Sequence, residues 1–302
     1  MEILITSIQS IIPIIAIIAL GYFLQNHGWF GESFGSNLSR LIMNVALPAS
    51  IFVSVMKYLT FDKLVSLSEG LVYTFAAFGL GYVAAFIAVK AFHVRPGRRG
   101  TMINTFVNAN TIFIGLPLNV ALFGNKALPY FLIYYITNTV SGKHKSAEKF
   151  DWKKLLPAPL VGFLVALVFL VLRIPVPAFA TSTLTYVGNI VTPLSLIYIG
   201  IVLAKAGLKT ITLDKDTIIT LVGRFVLGPV VMVAILMLTA KNMPVDEFRT
   251  FVIQAAAPAL AVLPILASHG DGDVEFSTNV VTLSTILFVI VVPIVDTLLG
   301  FM

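Results

Sequence analysis

The sequence predicts an all-α integral membrane fold of ten transmembrane helices, arranged as two halves of five. Three observations carry that reading. Hydrophobic residues make up 58% of the 302 residues and charged residues only 11%, far less charge than a soluble chain of this size needs to stay dispersed. The apolar residues fall in blocks of about 20, the length of helix that crosses a hydrocarbon core of roughly 30 Å. Related Asn and Pro patterns also recur at a nearly constant offset in the two halves.

The spans are predicted at 4–24, 38–57, 70–92, 101–123, 127–142, 156–173, 183–205, 215–240, 248–269 and 276–300. The first follows Met1-Glu2 with no basic stretch before it and runs too long for a cleaved signal, so it is read as a retained helix. The second carries Asn44-Val-Ala-Leu-Pro48, and the third carries Lys90 near its end. In the fourth, Asn108, Asn110, Thr111, Gly115 and Pro117 interrupt the apolar run near its middle. The fifth, short before Lys143, is the weakest. The sixth opens on Ala158-Pro159, the seventh holds Asn189-Ile-Val-Thr-Pro193, and the eighth encloses Arg224. In the ninth, Pro258 and Pro264 bracket five apolar residues, and the tenth ends near Asp296.

The domain organisation follows. Residues 1–142 form a first five-helix repeat, 143–155 a polar linker, and 156–302 a second repeat. The two Asn-x-x-x-Pro patterns lie 145 residues apart, and Pro117 and Pro264 lie 147 apart. An odd number of spans per half forces the copies into opposite orientations, an inverted-topology repeat of the kind that serves alternating access.

Lys and Arg counted on alternate sides divide thirteen to six, with Arg224 left out. The richer side is expected to be cytoplasmic, which puts both termini outside a multi-pass protein of the cell (plasma or inner) membrane. The formal charge of +6 sits in short loops between apolar blocks. With no basic arm and no aromatic-basic platform, a nucleic-acid partner is not expected. Cysteine is absent, which excludes disulfides and thiolate metal sites. There is no His-Glu-x-x-His pattern, phosphate loop or nucleophile elbow, so no enzyme, cofactor or metal is expected.

In hydrocarbon every backbone polar group needs an internal partner, so a broken helix survives only where it lines protein or a cavity. The fourth and ninth spans run antiparallel under this topology. If both unwind at midplane, the second half-helix of each starts there with free N–H groups and a positive dipole end, which together suit an anion. Asn110 and Thr111 are the candidate side-chain donors, with Pro117, Pro258 and Pro264 setting the breaks. Two ordinary proline kinks packed by neighbours would give the same pattern. Asn44 and Asn189 occupy matching positions and are candidate cavity residues, with a helix-packing hydrogen bond as the alternative. Arg224 is a buried intramembrane charge. It is read either as support for exposed carbonyls of a broken helix or as a direct substrate or gating contact, with snorkelling to the interface as a further option. Gln254 is a softer candidate for the same tasks. The acidic stretch Asp271, Asp273 and Glu275 reads as a solvated turn.

At these residues the sequence resembles the auxin efflux carrier family, which includes plant PIN carriers and bacterial malate-type organic-acid permeases. The resemblance rests on Asn110-Thr with Gly115-Leu-Pro-Leu118, on Arg224-Phe-x-x-Gly-Pro229, on Ala255-Ala-Ala-Pro258 and on the tail from Ser277 to Pro293. It implies crossed broken helices 4 and 9 in a bile-acid-symporter-like arrangement. Helices 1, 2, 6 and 7 would form a scaffold and helices 3–5 and 8–10 a transport domain. It also implies a homodimer and elevator-type movement. The family's crossover Asn maps onto Asn110 and its crossover prolines onto Pro117 and onto Pro258 or Pro264. The long central hydrophilic loop of plant members is missing here. The resulting expectation is a secondary carrier of a small organic carboxylate, auxin-like or malate-like. A sodium-coupled organic-anion symporter of the bile-acid type is the alternative.

Overall fold

A computed structural model describes residues 2–142, 157–206, 211–240 and 243–301, with the backbone alone for 2–8, 10–11 and 61–66. The predicted linker 143–155 lies outside the described residues. No strand occurs among the described residues.

The chain opens with α1 (Glu2–Asn26). The second span is α2 (Phe34–Leu41), a π-helical turn (Ile42–Ala46) and α3 (Leu47–Tyr58) in one continuous rod. Next come α4 (Phe61–Ala91) and α5 (Pro96–Val107). After a break at 108–110, a π-helical turn (Thr111–Gly115) leads into α6 (Leu116–Phe123). A 3-10 turn (Asn125–Ala127) precedes α7 (Leu128–Ser141). Then follow α8 (Ala158–Val171), α9 (Ala178–Asn189) and α10 (Val191–Ala206). α11 (Lys215–Val222) passes through a third π-helical turn (Gly223–Leu227) into α12 (Gly228–Thr239). α13 (Val245–Ala255), a break at 256–262, α14 (Leu263–His269) and α15 (Val274–Leu299) complete the chain.

Six of these segments are long and apolar enough to cross a bilayer: Phe34–Tyr58, Leu67–Ala91, Pro96–Phe123, Ala178–Lys205, Lys215–Thr239 and Val274–Leu299. Ile12–Asn26 and Ala158–Val171 are shorter apolar helices. The 14 residues of α7 span only about 21 Å at 1.5 Å per residue, so the span that looked weakest in sequence is indeed short. Val72, Phe75, Val83, Phe86 and Ile87 are all exposed along α4. Water would not tolerate such a face, whereas lipid does. The chain is a multi-pass α-helical membrane protein.

Each π-helical turn precedes a proline by two residues: Ala46 before Pro48, Gly115 before Pro117 and Leu227 before Pro229. Proline cannot donate to the carbonyl four residues back, and its ring collides with that carbonyl. Widening the turn by one residue moves the carbonyl aside without ending the helix.

Two sets of close helix contacts are tied together by α1 against α15, α3 against α7 and α10 against α6. α1 lies against α10, and α3 against α8 and α9. At the first contact a Cβ on Gly21 would fall 2.4 Å from the Ile197 carbonyl oxygen and one on Gly200 2.2 Å from that of Ile18. Only glycine allows these backbones to touch, which is how apolar helices gain close packing in lipid. The second group joins α4 to α5, α7 and α12, and α13 to α7, α12 and α15.

Candidate functional site

The two breaks meet. The N–H of Asn110 donates to the carbonyl of Pro258 at 2.8 Å, so the unwound stretch of the fourth span is bonded directly to that of the ninth. α5 stops at Val107 because Asn108 turns extended (φ −92°, ψ 142°). Asn110 restarts the helix as its N-cap, with Oδ1 accepting from the Phe113 N–H at 3.3 Å. Its Nδ2 donates to no acceptor among the described residues, although the residue is only 5% exposed. Thr111 is equally buried, and its N–H turns back to the Ala109 carbonyl at 2.8 Å.

Side chains from other helices hold the unwound backbone, as membrane burial demands. Asn138 on α7 clasps Ala109 twice, with Oδ1 accepting from its N–H at 2.8 Å and Nδ2 donating to its carbonyl at 3.1 Å. Ser284 on α15 accepts from the Ala259 N–H at 3.1 Å. Asn108 donates from Nδ2 to the Tyr82 hydroxyl at 2.8 Å, and its Oδ1 accepts from the Ser141 hydroxyl at 2.9 Å. Gln254 Nε2 donates to the Gly115 carbonyl at 2.8 Å, and a Cβ on Gly115 would sit 2.1 Å from Gln254 Oε1. Glycine at 115 is what lets Gln254 reach the π-helical turn.

Arg224 is 1% exposed and donates to carbonyls at the ends of both α5 and α13, with Ala255 nearest at 2.6 Å. Of the sequence candidates, Asn110, Thr111, Pro117, Pro258, Gln254 and Arg224 therefore lie on the two broken segments or bond directly to them. Pro264 is half-buried at the start of α14, a helix of seven residues. Asn44 is exposed on the π-helical turn of the second span. Asn189 opens into a cavity of about 230 Å³ shared with Ser50, Leu116, Val120, Asn125 and Thr192. On the π-helical turn before α6, Phe113 meets Tyr198 of α10 with ring centroids 4.3 Å apart and ring planes tilted by 37°.

Charged pairs close both ends of the second helix group. Arg98 bonds Asp273 at 2.7 Å, Asp214 and Asp216, and lies 4.7 Å from the centre of the Phe276 ring. Asp273 is thus no solvated turn residue, because it also caps α15 through the Phe276 N–H at 2.8 Å. Burial pushes the Asp214 and Asp273 carboxyls up, but the capping N–H groups of Thr217 and Phe276 and the Arg98 guanidinium more than reverse this. Both are held below the ordinary carboxylate range. At the opposite end Lys126 pairs with Asp246 at 2.7 Å and Arg249 with Asp296 at 2.6 Å.

Several of these residues escaped the sequence reading. Asn138 sits in the short fifth span beside a polar run, where an amide draws no notice. Its signal was its spacing, since Ser284, with the same task, comes 146 residues later, close to the offset of the proline motifs.

Helices long and apolar enough to cross a bilayer, with one break at 108–110 bonded to a second at 256–262, mark a multi-pass membrane protein with buried unwound backbone. The comparisons with known proteins name its group. The profile of the membrane transport protein family matches residues 6–141 and 138–295. The chain belongs to this family, the auxin efflux carrier or PIN-like group its motifs resemble. It is 24% identical over 304 residues to an uncharacterized transporter of Methanothermobacter thermautotrophicus, covering 95% of this chain and 96% of that protein. It is 21% identical over 299 residues to an uncharacterized transporter of Methanocaldococcus jannaschii, covering 93% and 95% respectively.

Proposed function

We propose that this transporter is a secondary carrier of a small organic carboxylate, auxin-like or malate-like, working by elevator-type alternating access. The observation that carries the reading is the restart at Asn110. A π-helical turn and α6 give a continuous half-helix from Thr111 to Phe123 whose positive end begins in the buried crossover. Asn110 adds an amide donor that meets no acceptor among the described residues. A helix N-terminus in a site with little water favours a carboxylate. α14 is only two turns long, so the fourth span supplies the larger share of the dipole.

The ten segments are taken as a 5+5 inverted repeat with the richer Lys and Arg side cytoplasmic. The charged ends support the repeat. Arg98 and Asp246 lie 148 residues apart, their partners Asp273 and Lys126 lie 147 apart, and the two ion pairs are the same bridge with its charges exchanged. The helix groups around α1, α3, α8, α9 and α10 and around α4, α5, α7 and α11 to α15 serve as scaffold and transport domain. The cavity between α3, α6 and α9 to α10 lies where such groups would slide.

Counterflow in proteoliposomes tests the reading. Vesicles preloaded with unlabelled malate or indole-3-acetate should transiently concentrate the same labelled anion. A channel would only equilibrate it, and absence of flux for every mono- and dicarboxylate tried would remove the proposal.

A further inference from the structure

Both half-helices that end at the crossover aim their last carbonyls at one side chain. Arg224 Nη1 donates to Thr105 at 3.3 Å and Asn108 at 3.0 Å, and Nη2 donates to Gln254 at 3.4 Å and Ala255 at 2.6 Å. The first two carbonyls close α5 and the last two close α13. No carboxylate among the described residues pairs with Arg224, so these backbone oxygens, with the Tyr134 hydroxyl beside them, face its charge. The seat is closely built. A Cβ on Gly223 would lie 2.1 Å from the Phe106 ring, and one on Gly228 3.2 Å from the Ala255 carbonyl oxygen. Two glycines thus bring the π-helical turn of the eighth span against both half-helices.

A helix C-terminus carries about half a negative charge, so two of them sum to roughly one. One guanidinium, permanently protonated, matches that sum. Converging carbonyls at unwound membrane helices are also what a transporter offers to a sodium ion. We propose that Arg224 is the resident cation of the crossover. It neutralises the two C-terminal ends from within the chain and leaves the positive end at Asn110 to the anion, so carboxylate binding needs no sodium ion. This rests on the carboxylate reading above and selects, within it, a sodium-independent carrier. Arg224 is a positioning residue here, since it acts through the half-helices and touches no substrate in this arrangement.

The test uses the full chain in proteoliposomes, with labelled malate and indole-3-acetate as probes. Wild-type uptake should change less than twofold when choline replaces sodium, and a dependence above tenfold overturns the proposal. Arg224→Gln keeps hydrogen-bonding capacity without charge and should lose more than tenfold in uptake, whereas Arg224→Lys should retain more of it than Arg224→Gln. A Gln variant that transports like wild type also overturns the proposal. The melting temperature of the purified Gln variant should rise with millimolar guanidinium or sodium but not with choline, while wild type does not respond. A merely structural arginine predicts no such cation-specific response, and its absence sinks the idea. If wild type moves neither probe, the carboxylate reading has failed, yet the cation response still reports on Arg224. If Arg224→Gln is not recovered folded, the sodium replacement in wild type decides.

Discussion

Gln254 donates from Nε2 to the carbonyl of Gly115 at 2.8 Å, which joins the last turn of α13 to the π-helical turn beyond the other break. The donor comes from α13 and the acceptor from the turn before α6, so the two broken segments are bonded at Asn110 and again at Gly115. The approach is possible only because residue 115 has no side chain.

Gly115→Ala should therefore displace Gln254 and break that bond. Overpacking of this kind costs about 1–3 kcal/mol, and the melting temperature should fall accordingly. Gly115→Ala with Gln254→Ala should recover part of the loss, because residues in contact are not additive. Additivity within experimental error would contradict the contact.

The clasp at Arg98 should respond to acid. Asp214 and Asp273 are held below the ordinary carboxylate range, so their contribution is fully present above about pH 4 and fades as pH falls through the lowered values. Arg98→Ala should lower stability by about 1–2 kcal/mol at neutral pH, between the values for exposed and buried pairs. It should also flatten the loss of stability below about pH 4. Melting curves of both proteins from pH 7 to pH 3 check this. Identical acid profiles would count against the clasp.

Lys126 and Asp246 form the related bridge at the other end, but their side chains are 57% and 38% exposed. Water screens such a pair, so Lys126→Ala should cost less than about 1 kcal/mol. A larger loss than for Arg98→Ala would reverse this order.

Phe113, which meets Tyr198 at 4.3 Å between ring centroids, stands in the chain between Asn110 and the cavity-lining Leu116. The chain has no cysteine, so a single Thr111→Cys reports on access directly. Adding Phe113→Ala should speed its modification by a hydrophilic thiol reagent applied from the Asn125 side by tenfold or more. An unchanged rate would mean that the pair does not close the path.

Much of this architecture was legible in the chain itself. Pro117 and Pro258, with the polar run from Asn108 to Thr111, announced two broken helices, because proline and amides in an apolar span leave few other options. Arg224 was legible as a buried charge. Its partners were not, because main-chain carbonyls carry no sequence signature. Asn138, Ser284 and Tyr82 were passed over for a related reason. A single polar side chain in a membrane helix becomes informative only when packing shows which unwound backbone it satisfies. Asp273 looked solvated because its partner Arg98 lies in the other half of the chain.

The central claim is an anion site at the start of the Asn110 half-helix, and binding to Asn110→Ala tests it most directly. With malate and indole-3-acetate titrated against the purified chain, the variant should bind the wild-type ligand at least tenfold more weakly while its stability without ligand falls by no more than the lost Phe113 cap accounts for, about 0.5–2 kcal/mol. Unchanged carboxylate affinity in a folded Asn110→Ala protein would place the anion elsewhere and contradict the account.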